Sequence, residues 1–118
     1  MNTKRSMRGL CALAAAAALC ACSAPKIEGA WVEPVPGMEE SVQGFVLEEG
    51  GAAASIGMAT LLYERWERDG ERLILGGRSL GNGQTLEFSD TLEIRSLTDG
   101  RLTLRTAEGA ERSYERQR

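Results

Sequence analysis

The sequence predicts an all-β fold, a small eight-stranded antiparallel meander barrel, on the strength of two observations. Apolar and polar residues alternate with the period of two that a half-buried strand requires. Turn signals separate these alternating segments at short, regular intervals: Pro36-Gly37, Gly50-Gly51, Asp69-Gly70, Gly81-Asn82-Gly83, Asp99-Gly100 and Glu108-Gly109. No segment after residue 26 has the spacing of a convincing helix.

The turns delimit eight predicted strands, over residues 27–33, 42–48, 52–57, 60–68, 72–78, 84–97, 101–106 and 110–117. The clearest alternation gives one face to four apolar side chains, Leu86, Phe88, Leu92 and Ile94. Asp90 shares their parity, and an unpaired carboxylate is costly to bury, so we expect a bulge or bend near Ser89-Asp90. Asp69-Gly70 predicts a hairpin with a type I′ turn.

The strand over residues 60–68 has an ambiguous parity. Trp66 and Tyr63 are three residues apart and fall on opposite faces of a regular strand. If Trp66 points inward, Glu64 points inward with it. Because a buried carboxylate needs a partner, we expect Glu64 to lie near a rim of the barrel.

The first 21 residues predict a secretory signal. Three basic residues, Lys4, Arg5 and Arg8, precede an apolar run of 12 residues from Leu10 to Ala21. A helix that crosses a bilayer needs about 20 apolar residues, so a retained anchor is not expected.

The end of this leader, Leu19-Cys20-Ala21-Cys22, resembles the lipobox of bacterial lipoproteins. The resemblance implies that Cys22 becomes the N-terminus and carries fatty-acyl chains such as palmitate. Residues 22–26 are then a short tether and residues 27–118 the barrel domain. Ser23 after the cysteine favours the outer membrane, with the barrel facing the periplasm. The alternative is an ordinary secretory signal that leaves a free thiol at Cys22.

Composition excludes several kinds of function. Removal of the leader leaves 11 basic side chains against 17 acidic ones, a net charge of −6, which argues against a nucleic-acid partner. The chain has no histidine, and its other two cysteines leave with the leader, so no metal, cofactor or nucleophilic triad is expected. Adjacent carboxylates at Glu39-Glu40 and Glu48-Glu49 point to opposite strand faces. We therefore expect no enzyme.

Three further features together resemble the small lipocalin-like domain family of Gram-negative bacterial lipoproteins. They are Gly29-Ala30-Trp31 running on through Val32-Glu33-Pro34-Val35-Pro36-Gly37-Met38, the segment Ser79-Leu80-Gly81-Asn82-Gly83-Gln84-Thr85, and the placement of Tyr63 and Trp66 before the Asp-Gly turn. The resemblance implies a barrel in which Trp31 closes one end and a late arginine, Arg116 or Arg112, packs against it. It does not imply a particular ligand.

Two functions remain open. In the first, the barrel binds a small, mostly apolar ligand of the envelope, lined by Trp31, Val35, Met38, Phe45, Tyr63, Trp66 and Phe88. The apolar loop 34–38 is then a lid over the mouth, or a plug that completes the core. The small residues of 50–57 leave room for a ligand or a subunit, or form a tightly packed edge strand. In the second function, a filled barrel docks another envelope protein through its outer face or a strand edge.

Overall fold

The computed structural model describes residues 24–118, so the leader and Cys22 lie outside the described residues. These residues form one antiparallel sheet that curls into a nearly closed barrel, which confirms the predicted fold class. Its strands are β1 (Gly29–Val35), β2 (Met38–Leu47), β3 (Ala53–Ile56), β4 (Leu61–Asp69), β5 (Arg72–Gly81), β6 (Gln84–Leu97), β7 (Arg101–Arg105) and β8 (Glu111–Gln117).

The strand order in space is β3-β2-β1-β8-β7-β6-β5-β4. Neighbours in sequence are therefore neighbours in the sheet everywhere except between β3 and β4. The first and last strands pair through Ala30, Trp31 and Val32, which lie opposite residues 117 to 115. The remaining seam, between β3 and β4, brings the two edges of the sheet together.

A side chain replaces part of the missing ladder at this seam. The Ser55 hydroxyl donates to the Leu61 carbonyl over 2.6 Å and accepts from the Tyr63 N–H over 2.8 Å. Below it, Ala52 forms an isolated bridge with Arg65. The small residues of this segment thus belong to a short, tightly packed edge strand, one of the alternatives that the sequence left open.

We expect Ser55→Ala to lower the free energy of unfolding by about 1–3 kcal/mol, because two half-buried backbone groups lose their partner. Urea unfolding of the purified protein measures this loss. Ser113→Ala is the matched control: its hydroxyl contacts only the exposed Thr103 hydroxyl, at 3.2 Å, and the change should stay within about 0.5 kcal/mol. Equal losses at the two serines would contradict the assigned role of Ser55.

A bulge in β4 resolves the ambiguous parity of that strand. The pairing with β5 shifts between Tyr63 and Arg65, leaving Glu64 as the extra residue. Tyr63 and Trp66 therefore both pack against the core. Glu64 is exposed and pairs with Arg78 at 2.7 Å, which avoids the buried carboxylate.

The hairpin at Asp69-Gly70 is confirmed, but its predicted type I′ turn is wrong. Asp69 pairs with Arg72, so the central residues are Gly70 and Glu71, and of these two only Gly70 has a positive φ, 63°. Glycine at the first central position is the signature of type II′. The type I′ pattern belongs instead to Asn82 and Gly83, whose φ angles are 51° and 73°.

The apolar loop 34–38 is neither the lid nor the plug that the sequence predicts. Val35 lies opposite Met38, so Pro36 and Gly37 form a tight turn, with a φ of 80° at Gly37. Met38 is 61% exposed. Because the turn is so short, β2 begins four residues before its predicted start.

The predicted bulge near Ser89-Asp90 is also wrong. Pairing between β5 and β6 runs without a shift from Arg72–Glu93 to Gly81–Gln84, and the irregularity of β6 lies at Arg95 instead. Asp90 escapes burial for another reason: β7 stops beside Glu93, so the first half of β6 extends beyond its neighbour. Leu86, predicted on the apolar face, is 61% exposed there.

Candidate functional site

The two ends of the barrel interior differ, and Trp31 fills one of them. Its side chain is fully buried, and its Nε1 donates to the Ile27 carbonyl over 2.8 Å. The Arg116 guanidinium lies 4.3 Å from the centre of the Trp31 rings, a cation–π contact. Of the two arginines that the sequence offered for this contact, the structure selects Arg116.

Arg116 also holds the chain on both sides of Trp31. Its guanidinium donates to the carbonyls of Lys26, Glu28 and Asp99 at 2.7, 2.9 and 2.5 Å. A Cβ at Gly29, where φ is 145°, would collide with this guanidinium. The glycine of the Gly-x-Trp pattern therefore makes room for the arginine, and this end is closed.

Leucine side chains fill the middle of the barrel. Five are at most 1% exposed: Leu47, Leu73, Leu75, Leu102 and Leu104. Eight-stranded barrels are just wide enough to be filled by side chains or to hold one small ligand. In this barrel side chains fill the middle, and the structure shows a cavity toward the other end.

A cavity of about 160 Å³ opens at that other end, which we call the mouth. It is lined by Glu33, Gln43, Gly44, Phe45, Met58, Leu61, Tyr63, Arg112 and Tyr114. Sites for drug-sized ligands measure roughly 300–1,000 Å³, whereas an apolar cavity of about 150 Å³ suffices for benzene. The mouth cavity therefore matches one ring or a short chain.

Aromatic rings form the floor of the mouth cavity. Phe45 is buried and lies 5.0 Å from Tyr114 and 5.9 Å from Tyr63, measured between ring centroids. Phe88 continues the cluster, 5.9 Å from Tyr63. The tilted and edge-on geometries are those that aromatic pairs prefer.

A charged group forms the wall. Arg112 on β8 donates two hydrogen bonds to the Glu33 carboxylate on β1, and Gln43 on β2 donates a third over 3.2 Å. The Glu33 side chain is only 14% exposed, so these partners compensate its loss of water. The hydrogen bond with Glu33 raises the pKa of Arg112 despite partial burial.

Burial raises the pKa of Tyr114 to about 12, and the nearby Glu33 charge adds to the shift. Burial, followed by the charge of Asp90, also raises the pKa of Tyr63. A pKa raised in the folded state stabilises the fold below the unfolded value of 10.0, and that contribution is lost as pH rises toward the folded value.

We therefore expect stability to fall between pH 10 and about pH 12, with Tyr114 accounting for about 2–3 kcal/mol of the loss. Urea unfolding at several alkaline pH values measures it, and tyrosinate absorbance reports the ionisation. In Tyr114→Phe the decline should be smaller by that amount. An unchanged alkaline decline in Tyr114→Phe would contradict the assignment.

The mouth brings together only part of the predicted ligand set. Phe45 and Tyr63 line the cavity, and Phe88 touches Tyr63. Four others do not line it, namely Trp31 at the closed end, Val35 and Met38 at the β1–β2 turn, and Trp66, which donates to the Glu48 carbonyl.

Sequence reasoning missed the polar members Glu33, Gln43, Arg112 and Tyr114. One signal was available for two of them. Glu33 follows Trp31 by two residues and Arg112 precedes Arg116 by four, so period two places both on the inner faces of their strands.

Other hollows on residues 24–118 are larger than the mouth cavity but more open to solvent. A larger hollow of about 760 Å³ lies outside the closed end, between residues 24–28 and the β6–β7 turn. Its arginines already have partners, since Arg116 binds three carbonyls and Arg118 pairs with Asp99. Within residues 24–118 no group of three acidic, histidine or cysteine side chains could hold a metal ion. The same residues contain no helix that is long and apolar enough to span a membrane.

Comparison with known proteins gives two matches to this chain. The sequence model of a family described as lipocalin-like matches residues 23–117. A crystallised lipocalin-like protein from Bacteroides thetaiotaomicron VPI-5482 is similar at 53% sequence identity and a TM-score of 0.74. The match covers 80% of this chain and 100% of that one. No curated protein matches.

Proposed function

We propose that this chain, which belongs to the lipocalin-like family, is a lipid-anchored binding protein of the cell envelope that performs no catalysis. It holds one small molecule at the mouth of the barrel. The observation that carries the proposal is the mouth cavity itself, where an aromatic floor meets the salt bridge between Glu33 and Arg112. A cavity that served only to complete a core would not need a charged wall.

The cavity specifies the chemistry of its ligand. About 160 Å³ admits a single ring or a short acyl end, and the rings of Phe45, Tyr63 and Tyr114 suit its apolar part. Glu33 and Arg112 together present both a carboxylate and a guanidinium to a hydroxyl or amide group. The ligand is therefore a small amphiphile, more polar than the apolar molecule that the sequence predicts.

Binding at the mouth is tested by filling the cavity. Met58 lies in the loop after β3 and lines the cavity, so Met58→Trp should abolish binding of benzyl alcohol. The amide chemical shifts of Phe45 and Tyr63 measure this binding. Met38→Trp, the same change at an exposed methionine outside the cavity, should leave binding unchanged. Native mass spectrometry of protein from its own host then looks for the natural ligand. Binding that survives Met58→Trp would refute the site.

The anchor is proposed at Cys22, and the position of the tether gives the barrel an orientation. Residues 24–26 join the barrel at the closed end, where Arg116 holds the Lys26 carbonyl. A lipid on Cys22 would therefore keep the closed end at the membrane and turn the mouth toward the aqueous phase. A ligand would then enter from the periplasm rather than from the bilayer.

Lipidation is tested with a palmitate analogue in living cells. Wild-type protein should incorporate the label and fractionate with the outer membrane, and Cys22→Ser should do neither. Cys20→Ser is the matched control, because it changes a neighbouring thiol that does not fit the lipobox, and it should behave as wild type. Labelling that persists in Cys22→Ser would reject the anchor without bearing on the mouth cavity.

A further inference from the structure

The first half of β6 has a free edge. On one side β6 pairs with β5 from Gln84 to Glu93. On the other side it pairs with β7 only from Glu93 to Leu97. The segment 84–92, which we call the β6 edge, therefore has no strand on the side away from β5 within residues 24–118.

The hairpin register shows which backbone groups this edge presents. Asn82 and Gly83 form a two-residue turn, so Gly81 and Gln84 exchange hydrogen bonds across it. Hydrogen bonding to β5 then alternates along β6 and falls on the even-numbered residues. The Ile94 N–H, which donates to the Glu71 carbonyl of the β4–β5 turn over 2.7 Å, fits this alternation. Thr85, Glu87 and Ser89 consequently direct their N–H and C=O groups away from β5.

The β6 edge lacks three kinds of protection that natural edge strands use. Such strands are shielded by proline, by charged side chains and above all lysine, by a bulge or by a covering loop, because an open edge pairs with other chains. Residues 84–92 contain neither proline nor lysine, and their pairing with β5 is regular. The seam between β3 and β4 shows the contrast, since Ser55 there satisfies the facing backbone groups.

Side chains along the β6 edge add apolar area and negative charge. Leu86 is 61% exposed, and Phe88 beside it is half-buried. Glu87 and Asp90 make no ion pair with any residue of 24–118. No basic residue occurs between Gln84 and Ile94. A partner strand therefore needs apolar side chains on one face and basic side chains nearby.

We propose that the β6 edge binds an extended segment of another protein by strand addition, and that this segment alternates apolar with basic residues. Backbone hydrogen bonds to Thr85, Glu87 and Ser89 supply affinity, and the alternate side chains supply specificity. A segment of about seven residues pairs with the edge from Thr85 to Thr91. The proposal does not depend on the mouth ligand. It assigns a defined surface to the second function that the sequence left open, the docking of another envelope protein.

A synthetic heptapeptide with capped ends, in which valine alternates with lysine, tests the proposal against the purified protein. We expect it to bind at least about tenfold more tightly than the same peptide with glutamate in place of lysine. N-methylation provides matched controls in the backbone. Methyl groups on one alternate set of peptide nitrogens should abolish binding, and methyl groups on the other set should not, because only one set faces β6. Equal binding of both methylated peptides would overturn the proposal.

A variant tests the same edge from the side of the protein. Ser89→Pro removes an outward N–H without removing a hydrogen bond to β5. It should weaken binding of the lysine-containing peptide at least about tenfold. Ser89→Ala keeps that N–H and should bind as wild type, and circular dichroism checks that both variants are folded. Unchanged binding by folded Ser89→Pro would overturn the proposal. So would a concentration-dependent dimer that Ser89→Pro abolishes, because the edge would then bind a second copy. If Ser89→Pro does not fold, the methylated peptides decide.

Discussion

Trp31→Ala should lower the free energy of unfolding by about 3–5 kcal/mol, one of the two largest losses we expect from a single substitution in this chain. The indole is fully buried, packs against Arg116 and donates to the Ile27 carbonyl, so its removal leaves a cavity and an unpaired carbonyl. Urea unfolding with a check for two-state behaviour measures the loss.

Trp66→Ala is the matched control for this prediction. It deletes the same side chain from a half-buried position, where the indole donates to the exposed Glu48 carbonyl. Trp66→Ala should lower the free energy of unfolding clearly less than Trp31→Ala does, because water fills much of the space that the half-buried indole leaves. A loss at Trp66 that equals or exceeds the loss at Trp31 would show that the closed end is not the stabilising end of the barrel.

Arg116 couples to Trp31, and a double-mutant cycle isolates that coupling. Arg116→Ala combined with Trp31→Ala should give an interaction energy of about 0.5–2 kcal/mol, the range of a cation–π contact. Arg116→Lys keeps the charge but cannot reach three carbonyls at once, so it separates the charge from the hydrogen bonds.

Local pattern was sufficient to predict most of the fold. Period-two alternation and turn residues identify strands without knowledge of their partners, and every predicted strand has a counterpart in the sheet. The closed end was expected at Trp31 because Gly29-Ala30-Trp31 resembles the lipocalin-like family, and its contact with Arg116 joins distant parts of the chain. The failures concern interruptions of that pattern. The bulge at Glu64 and the overhang of β6 depend on how far neighbouring strands extend, which no single strand encodes.

The mouth was harder to predict for a related reason. Glu33 and Arg112 are 79 residues apart and meet only because β1 pairs with β8. Neither residue is unusual in its own strand, where a charged side chain normally indicates a solvated face. Barrel closure places both at the mouth, where the inner face turns from apolar to polar. Phe45 and Tyr63 line the cavity because their aromatic side chains pack in the barrel interior, and their role in binding stays a prediction.

Phe45→Ala should lower the free energy of unfolding by about 3–5 kcal/mol and enlarge the mouth cavity. Phe45 is 1% exposed and contacts both Tyr63 and Tyr114. The substitution therefore lowers stability while it increases the space available to a ligand. A ring-sized ligand that occupies the vacated space should restore part of the loss, about 2.7 kcal/mol at a hundredfold excess over its Kd. Thermal unfolding with and without ligand measures both effects.

The relative stabilisation by two ligands, benzyl alcohol and benzene, distinguishes the mouth cavity from an ordinary cavity in the core. In Phe45→Ala the new space adjoins Glu33 and Arg112, so benzyl alcohol should stabilise the protein more than benzene does. Leu102→Ala is the matched control, since it opens a cavity beside the buried leucines of the middle, away from those charges. There the order should reverse, because an apolar cavity offers no partner to a hydroxyl. If benzene were preferred in both variants, the charged wall would not take part in binding, and the proposed amphiphilic ligand would be excluded.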